Sequence, residues 1–108
     1  MENNVKEPVE MEYIKESVEI ETFKDILIEC LELYKKKNND YGNSFDKGCE
    51  VIGPAYAVGR IYDKCNRLIE LSKPDKIARV DESLEDTLKD MANYCIMYIS
   101  YIRRTDEQ

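Results

Sequence analysis

Histidine is missing from this chain of 108 residues. That excludes Ser–His–Asp triads, imidazole general bases and His-ligated zinc, and leaves carboxylates as the only metal ligands present in quantity. Cysteine is sparse, and Cys30, Cys49, Cys65 and Cys95 show no CxxC or other metal-ligand spacing. Three of them fall on the apolar stripes of expected helices, where a thiol acts as a small hydrophobe. Reduced core cysteines in a cytoplasmic protein are therefore expected in preference to a disulfide framework. No signal peptide is visible, and the longest apolar run, Cys95 to Ile99, is far too short to span a bilayer. There is no basic stripe that could displace counterions from duplex nucleic acid, which argues against that partner. Repeats, glycine-rich phosphate loops and low-complexity segments are also lacking.

What the chain does have is charge, at 36% of residues, over an ordinary hydrophobic content of 43%. That balance suits exposed helices better than sheet. The formal charge of −7 is unevenly placed: residues 1–21 carry −5 and the rest only −2. The length allows one domain. The expected organisation is an acidic, loosely ordered leader over 1–20, a single all-α domain over 21–104, and a polar tail over 105–108. The leader could equally be a short element docked on the body or on a second subunit.

The expected fold is an all-α small helical bundle, with three long helices plus a short helix or ordered loop. The first helix is expected over Glu21–Lys37, with Thr22 as its cap and Phe23, Ile26, Leu27, Cys30, Leu31 and Tyr34 as its buried stripe. The second runs over Pro54–Lys73, with Pro54 in its first turn, where a missing N–H costs nothing. Its stripe is Val58, Ile61, Tyr62, Cys65, Leu68 and Ile69. Gly59 inside it, unfavourable by about 1 kcal/mol, suggests a close backbone approach. A linker over Ser72–Val80 is broken by Pro74, and Asp81 then caps a last helix running to Arg104. On that helix Leu84, Leu88, Met91, Ala92, Cys95, Ile99 and Ile102 form the packing seam, and its end past Tyr94 is apolar nearly all round.

Four stretches offer chemistry. On the last helix, Glu82, Asp86, Asp90 and Asn93 stand one above another at spacings of four, four and three, so that like charges share one ridge. A divalent metal, basic neighbours or water must offset their repulsion; the plainer reading is a solvated acidic face that suits the helix N-terminus. Glu29 and Glu32 form an ExxE pair on the first helix, of little weight alone. The connection from Lys35 to Gly53 begins with three lysines and is broken by Asn38-Asn39-Asp40 and Gly42-Asn43-Ser44. It is long for a turn and carries Asp40, Tyr41, Ser44 and Phe45. Tyr41 could stack on a base while Lys36 or Lys37 meets phosphate. On the second helix, Arg60, Asp63, Arg67 and Glu70 line one face. They form either a ladder of surface ion pairs, each worth little, or a site in which Arg60, Lys64 or Arg67 binds phosphate and Asp63 a metal.

Taken together, KKNNDYGNSF (Lys36–Phe45), RIYDKCNRL (Arg60–Leu68) and DESLEDTLKDMANYCIM (Asp81–Met97) resemble the phage and bacterial family called nucleotide modification associated domain 1. The resemblance covers about residues 22–102. More distantly, the carboxylate-bearing helices are similar to the MazG-like all-α nucleoside triphosphate pyrophosphatases. Those use ExxE on one helix and ExxD, or a similar pair, on another to hold Mg²⁺ against a triphosphate. By that resemblance Glu29 and Glu32 match the first pair, and Glu82 with Glu85 or Asp86 the second, although Glu82–Asp86 is spaced by four instead of three. Asp63 would add a metal ligand, and Glu85 or Asp90 would accept a proton from the attacking water. Lys37, Arg60, Lys64 or Arg67 would steady phosphates, and Asp40, Tyr41, Ser44 and Asn93 would contact the rest of the substrate. The implied function is a Mg²⁺-dependent pyrophosphohydrolase acting on canonical or modified nucleotides, as a homodimer or higher homo-oligomer. Two alternatives stand beside it: a non-catalytic module that sequesters a nucleotide, and a helical interaction protein whose charges are surface only.

Overall fold

The computed structural model describes residues 8–41, 43–74 and 81–106, excepting the side chains of residues 40, 41 and 81–83. Among the described residues four helices follow in order: α1 (Pro8–Tyr41), α2 (Ser44–Ile52), α3 (Pro54–Leu71) and α4 (Asp81–Asp106). The fold is an all-α small bundle. None of the described helices is long and apolar enough to cross a membrane.

Helix α1 takes in residues 8–20 of the expected leader, whose residues 1–7 lie outside the described residues. Residues 8–20 are its first half, continuous with the segment expected to begin at Glu21. Pro8 opens the helix, where its fixed φ is an advantage, and no glycine or proline follows until residue 42. Thr22 is thus no cap: it lies mid-helix, its hydroxyl donating to the Val18 carbonyl at 2.9 Å. Asn38 and Asn39 do not break the helix either, because a modest propensity loss at each is too small to stop a long helix that packs on α4.

The expected short helix or ordered loop is α2, joined to α3 by a single glycine. Gly53 has φ +95°, which a side chain would resist, and donates its N–H to the Cys49 carbonyl at 2.9 Å. Its own carbonyl accepts from Tyr56 N–H at 3.0 Å, so one residue ends α2 and starts α3. Pro54 occupies the first turn of α3 as expected. The close approach expected at Gly59 does not occur, since a Cβ there would meet open space. It occurs at Gly48, where a Cβ would overlap the Tyr56 ring.

The core sits between α2, α3 and α4. Phe45, Cys49 and Ala57 are buried, and Tyr56, Tyr94, Met97, Tyr98 and Tyr101 pack around them. Phe45 holds both Tyr56 and Tyr94, with ring centroids 5.8 and 6.1 Å apart. An ion pair closes the same end: Arg104 donates to both Asp46 carboxylate oxygens, at 2.6 and 3.1 Å.

The expected stripes are therefore only partly the packed faces. On α4 the inward groups are Thr87, Tyr94, Met97, Tyr98 and Tyr101, whereas Leu88, Ile99 and Ile102 of the expected seam are exposed. The end past Tyr94 is likewise open on one side, at Ile96. On α3, Ala57 and Leu71 are buried and Ile61 and Leu68 half-buried, but Val58, Tyr62, Cys65 and Ile69 face outward. On α1 only Cys30 of the stripe is buried. Both α3 and α4 carry apolar residues around more than half their circumference, so periodicity finds the helices but not which flank meets a neighbour. All four cysteines are free thiols, with Cys30 and Cys49 buried and Cys65 exposed.

Candidate functional site

Where α1 ends, α2 begins and α3 and α4 cross, the helices leave an open cavity of about 330 Å³. Four of its eleven lining residues are aromatic, Tyr34, Phe45, Tyr56 and Tyr94, and Met97 adds a further apolar side chain. The rest is polar, made by Lys37, Asn38, Ser44, Arg60, Asp90 and Asn93. This composition suits a ligand with a flat ring and an anionic or hydrogen-bonding end.

Four of the polar groups, Lys37, Arg60, Asp90 and Asn93, are held by specific partners. Asp90 on α4 lies between two ammonium groups, with Lys37 Nζ at 2.7 Å and Lys64 Nζ at 3.4 Å. Its carboxylate is only 19% exposed, so these pairs are less screened than the surface ladders. Asn93, one turn further along, donates its amide N–H to the Cys30 carbonyl at 3.0 Å and fixes α4 against α1. Arg60 is paired with Asp63 at 2.9 Å, and its guanidinium lies 5.6 Å from the Tyr56 ring centroid. The cavity thus presents two cations, Lys37 from α1 and Arg60 from α3, together with aromatic side chains.

Five of the expected site residues meet here: Lys37, Ser44, Arg60, Asp90 and Asn93. Lys64 joins them through Asp90. Arg67 points elsewhere and donates to the buried Thr87 hydroxyl at 3.2 Å. Asp40, Tyr41 and Glu82 have side chains outside the described residues. Tyr34, Asn38, Tyr56, Tyr94 and Met97 line the cavity without having been expected there, and Phe45, named with the connection but given no role, joins them. Aromatic residues at helical spacing read as core, and Phe45 and Tyr94 do serve as core and wall at once.

The carboxylates expected to hold Mg²⁺ are distributed differently. Lys89 Nζ stands between Glu29 and Glu85, at 2.7 and 3.3 Å, joining α1 to α4 with a cation of the chain's own. The Glu29 hydrogen bond, and to a lesser degree Glu85, hold this ammonium's pKa above the ordinary lysine value against the opposing effect of burial. Glu32 is paired with Lys35 at 3.6 Å, Asp63 with Arg60, and Asp86 is exposed. Among the described residues no three His, Cys, Asp or Glu side chains gather as a metal-binding group. As placed, the described side chains do not fit a Mg²⁺ site, which would need several oxygens free to face one ion.

Residues 37–101, spanning the end of α1 through most of α4, match the family described as nucleotide modification associated domain 1. The chain belongs to that family. The matched nucleotide modification associated domain 1 segment contains every cavity residue except Tyr34. No curated protein and no solved structure matches the chain.

Proposed function

We propose that this cavity binds a nucleotide or nucleotide-like phosphorylated molecule. The supporting observation is the pairing, within one cavity, of an aromatic wall with Lys37 and Arg60. A base has room to stack beside Phe45, Tyr56 or Tyr94, an interaction worth roughly 1–3 kcal/mol per base. Phosphate oxygens are suited to Arg60, whose planar fork presents two donors, and to Lys37 as a point charge. Ser44 and Asn93 supply hydrogen bonds for sugar or base edges. Asp90 competes with the phosphate for Lys37 and Lys64, so a bound anion shares or displaces a carboxylate already in place. The family's description agrees with a nucleotide ligand.

A homo-oligomer belongs to the same reading, as does a metal-dependent pyrophosphohydrolase in which the nucleotide is substrate. Catalysis would need carboxylates released from Lys89 and Arg60, so binding is the function the geometry supports best.

The test is a panel of canonical and modified (d)NTPs and NMPs titrated calorimetrically, with and without Mg²⁺, and with pyrophosphate release measured in parallel. Binding of a subset without Mg²⁺, lost in Arg60→Met, is the expected result. Pyrophosphate release that requires Mg²⁺ would assign the hydrolase. No binding by a folded chain across the panel would defeat the proposal.

A further inference from the structure

Helix α1 carries more apolar surface than the described residues cover. Its 34 residues make a rod about 51 Å long at 1.5 Å per residue. It packs on α4 only near its C-terminal half, through Glu29, Cys30 and Lys37. The radius of gyration is 19.3 Å, against about 13 Å for a folded chain of this length.

Part of the uncovered surface follows a regular pattern, beside exposed Met11, Ile14, Val18, Ile28 and Leu31, which lie off it. Positions 9, 13, 16, 20, 23, 27, 30 and 34 step by four and three alternately, the seven-residue repeat of a helix–helix seam. All are apolar except Glu16. Cys30 is covered by α4, but Val9, Tyr13, Ile20, Phe23, Leu27 and Tyr34 are between 37% and 76% exposed. The C-terminal part of this seam opens into an apolar groove of about 430 Å³ shared with Ile96 and Met97 of α4.

We infer that the occupant of this face is the α1 seam of a second copy of the chain. A period of 3.5 sustained over the helix asks for another long helix as partner, not for a loop or a strand. A copy of α1 brings the same seam, and two-fold symmetry makes one such patch complementary to itself. The area also agrees. At roughly 100 Å² for a half-exposed large side chain, the seam with Ile26 and Ile96 offers on the order of 800 Å², which is what one partner buries in a standard interface. The flanks carry both signs, with Lys24 beside the seam on one edge and Glu12 and Glu19 on the other. This deepens the homo-oligomer reading by naming the face, and it does not depend on the ligand. Tyr34 and Met97 belong to both groove and cavity, so the partner approaches the ligand site from one side.

Sedimentation equilibrium of the full chain, without nucleotide, tests this from micromolar to hundreds of micromolar. The expected mass is twice the 12.7 kDa chain. Leu27→Ala should raise the concentration of half-dissociation about tenfold or more with helical content retained. Val18→Glu, on the opposite side of α1, should leave it unchanged. A native chain that is folded and monomeric throughout overturns the inference, and so does a dimer that Leu27→Ala does not weaken. Nucleotide binding by either form bears on the cavity alone, so the two proposals fail separately.

Discussion

Lys37 and Asp90 are 53 residues apart in the chain and 2.7 Å apart in space. Their ion pair ties the last turns of α1 to the middle of α4 at the rim of the cavity. Lys64 approaches the same carboxylate from α3, so Asp90 holds three helices and at the same time neutralises the cations a phosphate would use.

Asp90→Asn therefore has opposed effects. Stability should fall by roughly 1–2 kcal/mol as two partly buried ion pairs are lost. Affinity for a nucleotide should rise, because Lys37 and Lys64 no longer face a competing carboxylate. Denaturant melts and calorimetry on the same variant check both; weaker nucleotide binding would mean Asp90 contacts the ligand favourably.

Gly48→Ala sets two terms against each other. Alanine favours a helix by about 1 kcal/mol over glycine, but the new methyl overlaps the Tyr56 ring, and overpacking costs typically 1–3 kcal/mol. The variant should be less stable by about 1 kcal/mol in a denaturant titration. A more stable protein would mean that Tyr56 moves aside freely.

The Lys89 bridge predicts a pH dependence at the alkaline end. Its pKa in the folded chain lies above the value of 10.5 for a free lysine, chiefly through Glu29. A raised basic pKa contributes stability that is fully present below the unfolded value and is lost as pH rises through the folded one. The stability difference between the native chain and Lys89→Met should therefore hold steady from pH 7 to about 10 and shrink above the lysine range. Thermal melts of both proteins over pH 7–12 measure it, and a difference already vanishing near pH 8 would contradict the assignment.

Thiol reactivity should follow burial. Burial, aided by Asp46 and Glu50, pushes the Cys49 thiol up, so less thiolate is present to react. Iodoacetamide at pH 8 should label Cys65, the exposed thiol, well before Cys49. Mass spectrometry over a time course reads the order directly.

Much of this was legible in the residues, in a particular way. Pro54 announced α3, the ridge of Asp90 and Asn93 pointed to the side of α4 that lines the cavity, and Lys37, Ser44 and Arg60 were marked by type and position. The extent of α1 was not legible, because four glutamates in residues 8–20, one of them within the seam at Glu16, make that stretch read as a loose acidic leader. Faces were harder than helices. Leu88, Ile99 and Ile102 made as good a seam on α4 as Tyr94, Tyr98 and Tyr101, and only the third dimension shows that the tyrosines meet Phe45 and Cys49. Ion pairs between distant residues were beyond reach for the same reason. Glu29 and Glu85 suggested a shared divalent cation, and nothing in their spacing tells that Lys89 sits between them.

The most direct measurement is a titration of the ¹⁵N-labelled chain with the tightest nucleotide of the panel, following backbone amide signals residue by residue. If the cavity holds the nucleotide, the largest shifts gather at Ser44, Phe45, Tyr56, Arg60, Asn93 and Tyr94, and they collapse in Arg60→Met. Shifts centred away from these residues, or a saturating ligand that leaves them unmoved, would contradict the cavity as the nucleotide site.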